Sequence, residues 1–166
     1  MAELMSSKLS SRSATVSLKT LVGSGDRIGL FTLPILTAGL ILNIAYPSQF
    51  DVGGPPTALR VVSVAVLSVG VAIWAWSAAL IVTRVPSGEL ITTGPYALVK
   101  HPLYTAVALL VLPWLGFLFD TWLGLLVGVV LYFGSRMFAP AEEAALSKTF
   151  GAAWVEYSKT VKIPWL

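Results

Sequence analysis

The sequence predicts an all-α integral membrane protein. Of its 166 residues, 56% are hydrophobic and only 11% are charged, whereas a soluble globular domain has about 25% charged residues. The mean hydropathy is +0.82, and long uncharged runs carry most of it. Because the chain has no cysteine and only His101 as a histidine, disulfides, iron–sulfur clusters, a thiol nucleophile and multi-histidine metal sites are excluded.

Four apolar runs predict four transmembrane helices within a single domain, at about 28–46, 61–83, 103–119 and 121–138. As a helix, the first run would cover about 28 Å, close to a hydrocarbon core of about 30 Å. Backbone groups in lipid must find partners within their own segment, so we expect helices. Little more than Asp120 separates the last two runs, which predicts a tight helical hairpin.

Proline and glycine positions refine this prediction. Pro34 and Pro113 lie inside apolar runs and should interrupt the hydrogen bonding of their helices. Gly124 and Gly128 have the GxxxG spacing, which predicts close helix packing and would also allow a homodimer through the fourth span. The first loop is predicted to be a non-helical turn region, because it contains Pro47, Gly53, Gly54, Pro55 and Pro56.

The basic residues predict which side of the membrane each segment faces. With four spans, ten of the eleven Lys and Arg residues fall on one side and only Arg60 on the other. By the positive-inside rule, both termini are cytoplasmic, with a tail at 1–26 and cytoplasmic segments at 84–102 and 139–166. The mid-span positions hold no ionisable residue, which argues against a pump, a proton-coupled transporter or an ion channel. The basic residues are too scattered for a nucleic-acid site.

The predicted cytoplasmic segment 84–102 has the features of a ligand site. Residues 94–95 are Gly-Pro, a turn, and Pro102 suits the first turn of the third helix. Unpaired N–H groups at a helix start attract carboxylates or phosphates, and Tyr96, His101 and Tyr104 offer hydrogen bonds or ring faces. A polar loop with interfacial tyrosines and a helix cap is the alternative interpretation.

The second cytoplasmic segment pairs charges with an apolar helix face. Arg136 precedes Glu143 by two helical turns, so both could face a common site, and Glu142 is adjacent. An amphipathic helix interrupted near Gly151 is predicted from apolar residues three and four positions apart, namely Leu146, Phe150, Trp154, Tyr157 and Val161. A helix lying on the membrane interface is the alternative.

Together these segments resemble the isoprenylcysteine carboxyl methyltransferase and phospholipid methyltransferase superfamily. The first motif is Gly-Pro-Tyr at 94–96 followed by Lys-His-Pro-Leu-Tyr at 100–104. After the hairpin come Glu-Glu-Ala-Ala-Leu at 142–146 and the late positions Phe150, Gly151, Trp154, Tyr157 and Pro164. The chain departs from the family pattern at Lys100 for arginine, Ala106 for glycine and Trp154 for tyrosine.

The resemblance implies methyl transfer from S-adenosylmethionine to a lipidic or small hydrophobic acceptor, with no metal. It implies that the cofactor is held on the cytoplasmic side, with Glu142 meeting its amino group. The other cofactor contacts that it implies are Tyr96, Lys100, His101, Pro102 and Tyr104. Arg136 and Glu143 would face the acceptor, Arg136 orienting a carboxylate or Glu143 accepting a proton from an amine.

Two other functions fit the sequence. Membrane sterol reductases are similar in their C-terminal region, which allows a reductase using NADPH, although those proteins are larger. A non-catalytic membrane scaffold that retains the fold is the other alternative.

Overall fold

The computed structural model describes residues 25–54 and 56–163, which are helical for most of their length and contain no strand. The predicted all-α class is therefore confirmed for this part of the chain. Most of the predicted N-terminal tail, with Lys8, Arg12 and Lys19, lies outside the described residues, as does Pro164 of the second motif.

Six α-helices are described: α1 (Gly25–Ala45), α2 (Pro47–Phe50), α3 (Thr57–Arg84), α4 (Pro102–Leu118), α5 (Leu123–Phe150) and α6 (Ala152–Thr160). By length and composition, α1, α3 and α5 could each cross a membrane, whereas α4 is a shorter apolar helix. The four predicted runs thus form helices, and the number of spans stays a prediction.

Three features differ from or extend the predicted elements. The first loop is wrongly predicted as non-helical throughout, because α2 forms one turn with Pro47 at its start, where a missing N–H costs nothing. α4 contains a π-helical segment, Val107–Val111, directly before Pro113. α5 continues well beyond 138, through Pro140, to Phe150, and the predicted interruption at Gly151, which has φ of 53°, is confirmed.

The helices pack side by side in the order α1, α5, α4, α3. Small residues permit close approach: a Cβ added at Gly124 would lie 2.8 Å from the Gly116 Cα and would also overlap the Leu112 carbonyl oxygen. Gly128 is buried against the Ala108 carbonyl oxygen in the same way. The GxxxG pattern therefore serves packing within the chain, as predicted. The homodimer stays a prediction, and it would need another face of α5.

One end of the bundle is closed by the first loop. Phe50 stacks on Trp122 with ring centroids 4.9 Å apart, and the Trp122 indole donates a hydrogen bond to the Gln49 carbonyl at 2.8 Å. The Gly54 N–H donates to the Asp120 carboxylate at 3.0 Å. The two motif segments lie at the opposite end, where α3 and α5 finish and α4 begins.

Candidate functional site

A cleft lies at that opposite end, between the end of α3, the loop into α4, the last turns of α5, and α6. Its empty volume is about 720 Å³, part of which is open to solvent. Apolar and aromatic side chains form most of its wall, and a few polar groups converge among them. The lining consists of Ile81, Val85, Glu89, Leu90, Ile91, Tyr96, Lys100, His101, Leu103, Tyr104, Glu142, Leu146, Phe150, Trp154 and Tyr157.

The Gly-Pro turn positions Tyr96. Gly94 begins a 3₁₀ turn, Gly94–Ala97, with φ of 64°, a left-handed conformation that side chains disfavour. A Cβ at Gly94 would also lie 3.0 Å from the Trp76 ring. Glycine therefore lets the turn lie directly against α3, with Pro95 buried beneath it.

The C-terminal helix holds the same turn from the other side. The Tyr157 hydroxyl donates a hydrogen bond to the Tyr96 carbonyl oxygen at 2.8 Å. Trp154 and Tyr157 are both buried, with ring centroids 5.4 Å apart. Beyond α6, the Ile163 N–H donates to the Leu98 carbonyl oxygen at 2.9 Å. The loop is thus fixed at two points by residues near the end of the chain.

Four charged or ionisable side chains, three of which line the cleft, meet between the loop and α5. The Lys100 ammonium donates to the Glu143 carboxylate at 3.0 Å. His101 is buried, with Nε2 3.4 Å from Glu143 and Nδ1 3.8 Å from Glu142. These contacts join the loop to α5, so the two motifs form one site.

Burial also raises the pKa of two tyrosines near the cleft. Burial, and secondarily the negative charge of Glu143, raises the pKa of Tyr157 to about 12. Burial, followed by the charge of Glu142, raises the pKa of Tyr96 above its ordinary value. Both hydroxyls therefore stay neutral to a higher pH than an exposed tyrosine would.

Some of the predicted site residues line the cleft and others lie outside it. Tyr96, Lys100, His101, Tyr104 and Glu142 line the cleft. Glu143 contacts Lys100 and His101 without being among the lining residues. Pro102 is fully buried at the start of α4, and Arg136 is exposed on α5; neither lines the cleft.

The sequence prediction did not assign several lining residues to the site. The sequence marks some of them only as motif positions on an apolar helix face, namely Leu146, Phe150, Trp154 and Tyr157. Ile81 and Val85 carried no distinguishing signal, because they look like any other apolar residue of a span. Glu89 opens the polar segment, and it is exposed and paired with Arg84 at 3.5 Å. Within the described residues, no group of three His, Cys, Asp or Glu side chains could hold a metal ion.

Comparison with known proteins finds one family that matches the chain. The family model for the isoprenylcysteine carboxyl methyltransferase (ICMT) family matches residues 57–148, more than half of the chain. No curated protein and no solved structure matches the chain. The match begins with α3 and includes both Lys100-His101 and Glu142-Glu143. Three long apolar helices and this match identify an integral membrane protein. The chain belongs to the isoprenylcysteine carboxyl methyltransferase family.

Proposed function

We propose that this protein transfers a methyl group from S-adenosylmethionine to a lipidic or small hydrophobic acceptor at the membrane. Family membership indicates methyl transfer. The observation that carries the proposal is the cleft itself, in which the two motif segments converge at one end of an apolar helix bundle. The donor and the acceptor class are the proposed parts.

The residues that line the cleft fit the chemistry of S-adenosylmethionine. Glu142 lines the cleft with an 18% exposed side chain, so its carboxylate can pair with the cofactor's ammonium group. Lys100 and His101 can donate hydrogen bonds to the cofactor's carboxylate. Tyrosine and tryptophan rings offer flat faces for an adenine, and the apolar walls suit the rest of the ligand.

When bound, the cofactor supplies a methyl group already activated on a positively charged sulfur. In-line transfer of this methyl needs little acid catalysis, so the chain's contribution is alignment and exclusion of water. Glu142, Lys100, His101, Tyr96 and Tyr104 would orient the donor. Arg136 lies outside the cleft, and its predicted role with the acceptor stays a prediction.

We further propose that the cleft faces the cytoplasm and that the chain crosses the membrane four times. The basic residues of α3, α5 and α6, such as Arg84, Lys148 and Lys159, lie near the cleft end, as the positive-inside rule expects. A polar donor would enter from the cytosol, and a lipidic acceptor would arrive laterally from the bilayer. Both would meet at the boundary between the bundle and the polar segments.

Binding of the donor tests the proposal without knowledge of the acceptor. The purified protein in lipid nanodiscs should bind S-adenosylmethionine saturably by isothermal titration calorimetry. Glu142→Gln should weaken binding by about tenfold or more, because it removes the charge opposite the ammonium group. Glu156→Gln is the matched control, since Glu156 is exposed on α6 away from the cleft.

A labelling experiment then tests for transfer. The protein, a radiolabelled methyl donor and a membrane extract should together yield a labelled lipid-soluble product. Absence of saturable donor binding, or tight NADPH binding instead, contradicts the proposal.

A further inference from the structure

The two adjacent glutamates of the second motif occupy different positions relative to the cleft. Glu142 lines it, whereas Glu143 lies on the other side of His101 and is not among the lining residues. Consecutive residues of an α-helix point about 100° apart, so one helical segment can present one carboxylate to a ligand and the other to the protein. Glu143 is therefore placed to contact the protein and not a substrate in the cleft.

The contacts of these side chains form a row in which Lys100 and His101 alternate with the carboxylates of Glu143 and Glu142. Lys100 Nζ is 3.0 Å from Glu143, His101 Nε2 is 3.4 Å from the same carboxylate, and His101 Nδ1 is 3.8 Å from Glu142. Only the first distance is that of a strong charge-assisted hydrogen bond. Lys100 is 12% exposed and His101 8% exposed, so water screens this row only weakly.

We propose that Glu143 is a positioning residue that fixes Lys100 and His101, and through His101 the Glu142 carboxylate, in the geometry that binds the methyl donor. The proposal rests on the proposed function, and it replaces the predicted role of Glu143 as a proton acceptor at the substrate. Glu143 joins the loop before α4 to the end of α5, so it sets the distance between the two motif segments. Its carboxylate oxygens are already directed at Lys100 and His101.

The donor-binding constant tests this role by mutation. Glu143→Gln keeps the size of the side chain and removes its charge, and we expect donor binding to weaken by about tenfold, within the range of coupled contacts. The loss in Lys100→Ala combined with Glu143→Ala should be smaller than the sum of the two single losses, because each single variant already breaks the Lys100–Glu143 contact. Glu156→Gln serves as the control.

The single histidine provides a second readout that needs no ligand. Because His101 is the only histidine, ¹⁵N-histidine labelling gives the NMR signals of one imidazole. In Glu143→Gln the Nε2 resonance should shift more than the Nδ1 resonance, and in Glu142→Gln the order should reverse. A side chain with only a general role in stability would lower the unfolding temperature without producing this reversal.

The outcomes separate the two proposals. If the wild type binds no S-adenosylmethionine, the proposed function fails. If the wild type binds it and Glu143→Gln binds equally well, only the positioning role fails. Additive losses in the Lys100 and Glu143 double variant, or unchanged His101 resonances, would also overturn the positioning role.

Discussion

Replacing Gly124 by alanine tests the packing of the α4–α5 hairpin. The added Cβ would lie 2.8 Å from the Gly116 Cα and overlap the Leu112 carbonyl oxygen, whereas carbon atoms in contact are about 3.5–4.0 Å apart. The two helices must therefore separate by about 1 Å. Both obstructing groups are backbone and cannot rotate away, so the cost should lie near the top of the usual overpacking range of about 1–3 kcal/mol.

Alanine also favours a helix over glycine by about 1 kcal/mol, so we expect Gly124→Ala to lower the free energy of unfolding by about 1–2 kcal/mol. Gly29→Ala is the matched control, because nothing lies within 4 Å of a Cβ there. Unfolding by denaturant in nanodiscs measures both, and the control should be neutral or slightly more stable. Equal stability of the two variants would refute the reasoning, as would a change confined to the fraction of dimer.

Four further predictions concern the loop and the topology. Tyr157→Phe should destabilise the protein by about 1 kcal/mol, since the Tyr96 carbonyl loses its donor. The free energy of unfolding of the wild type should fall between pH 10 and pH 12. The pKa of Tyr157 is about 12 in the folded protein and 10.0 ordinarily, so the unfolded chain binds fewer protons in this range. Unfolding of the wild type and of Tyr157→Phe measured across this range should show a smaller fall in the variant. Gly94→Ala should weaken methyl-donor binding more than Gly88→Ala. Both glycines have positive φ, but only a Cβ added at position 94 would contact the Trp76 ring. Isothermal titration calorimetry measures the two dissociation constants. Because the chain has no cysteine, Ser87→Cys and Lys159→Cys should react with an impermeant maleimide from one side of a vesicle and Gly53→Cys from the other.

Hydropathy predicted where the helices lie better than where they end. The apolar runs correspond to α1, α3, α4 and α5, because burying apolar side chains in lipid dictates both composition and helical structure. The predicted end of the fourth run at 138 reflects the charges that follow it. Charge marks where a helix leaves the bilayer, not where the helix stops, and α5 continues to Phe150. The π-helical segment of α4 had no signal beyond the nearby Pro113.

The convergence of the two motif segments could be expected from the predicted topology. Which of their side chains face the cleft could not. The sequence predicts two crossings between the two segments, and an even number of crossings places both segments on one side. The rotation of α5 about its axis decides which glutamate faces the cleft, and composition does not reveal this rotation. Arg136 shares a helix face with Glu143, yet it lies two turns, about 10 Å, along the axis. Sharing a face therefore did not bring it into the cleft.

Trp154 and Tyr157 follow the apolar bundle in the chain, which has a consequence for truncation. The apolar helices α1, α3, α4 and α5 all precede Gly151, whereas the aromatic side chains that hold the Gly-Pro turn follow it. A chain terminated at Gly151 would therefore retain the bundle while lacking one side of its pocket.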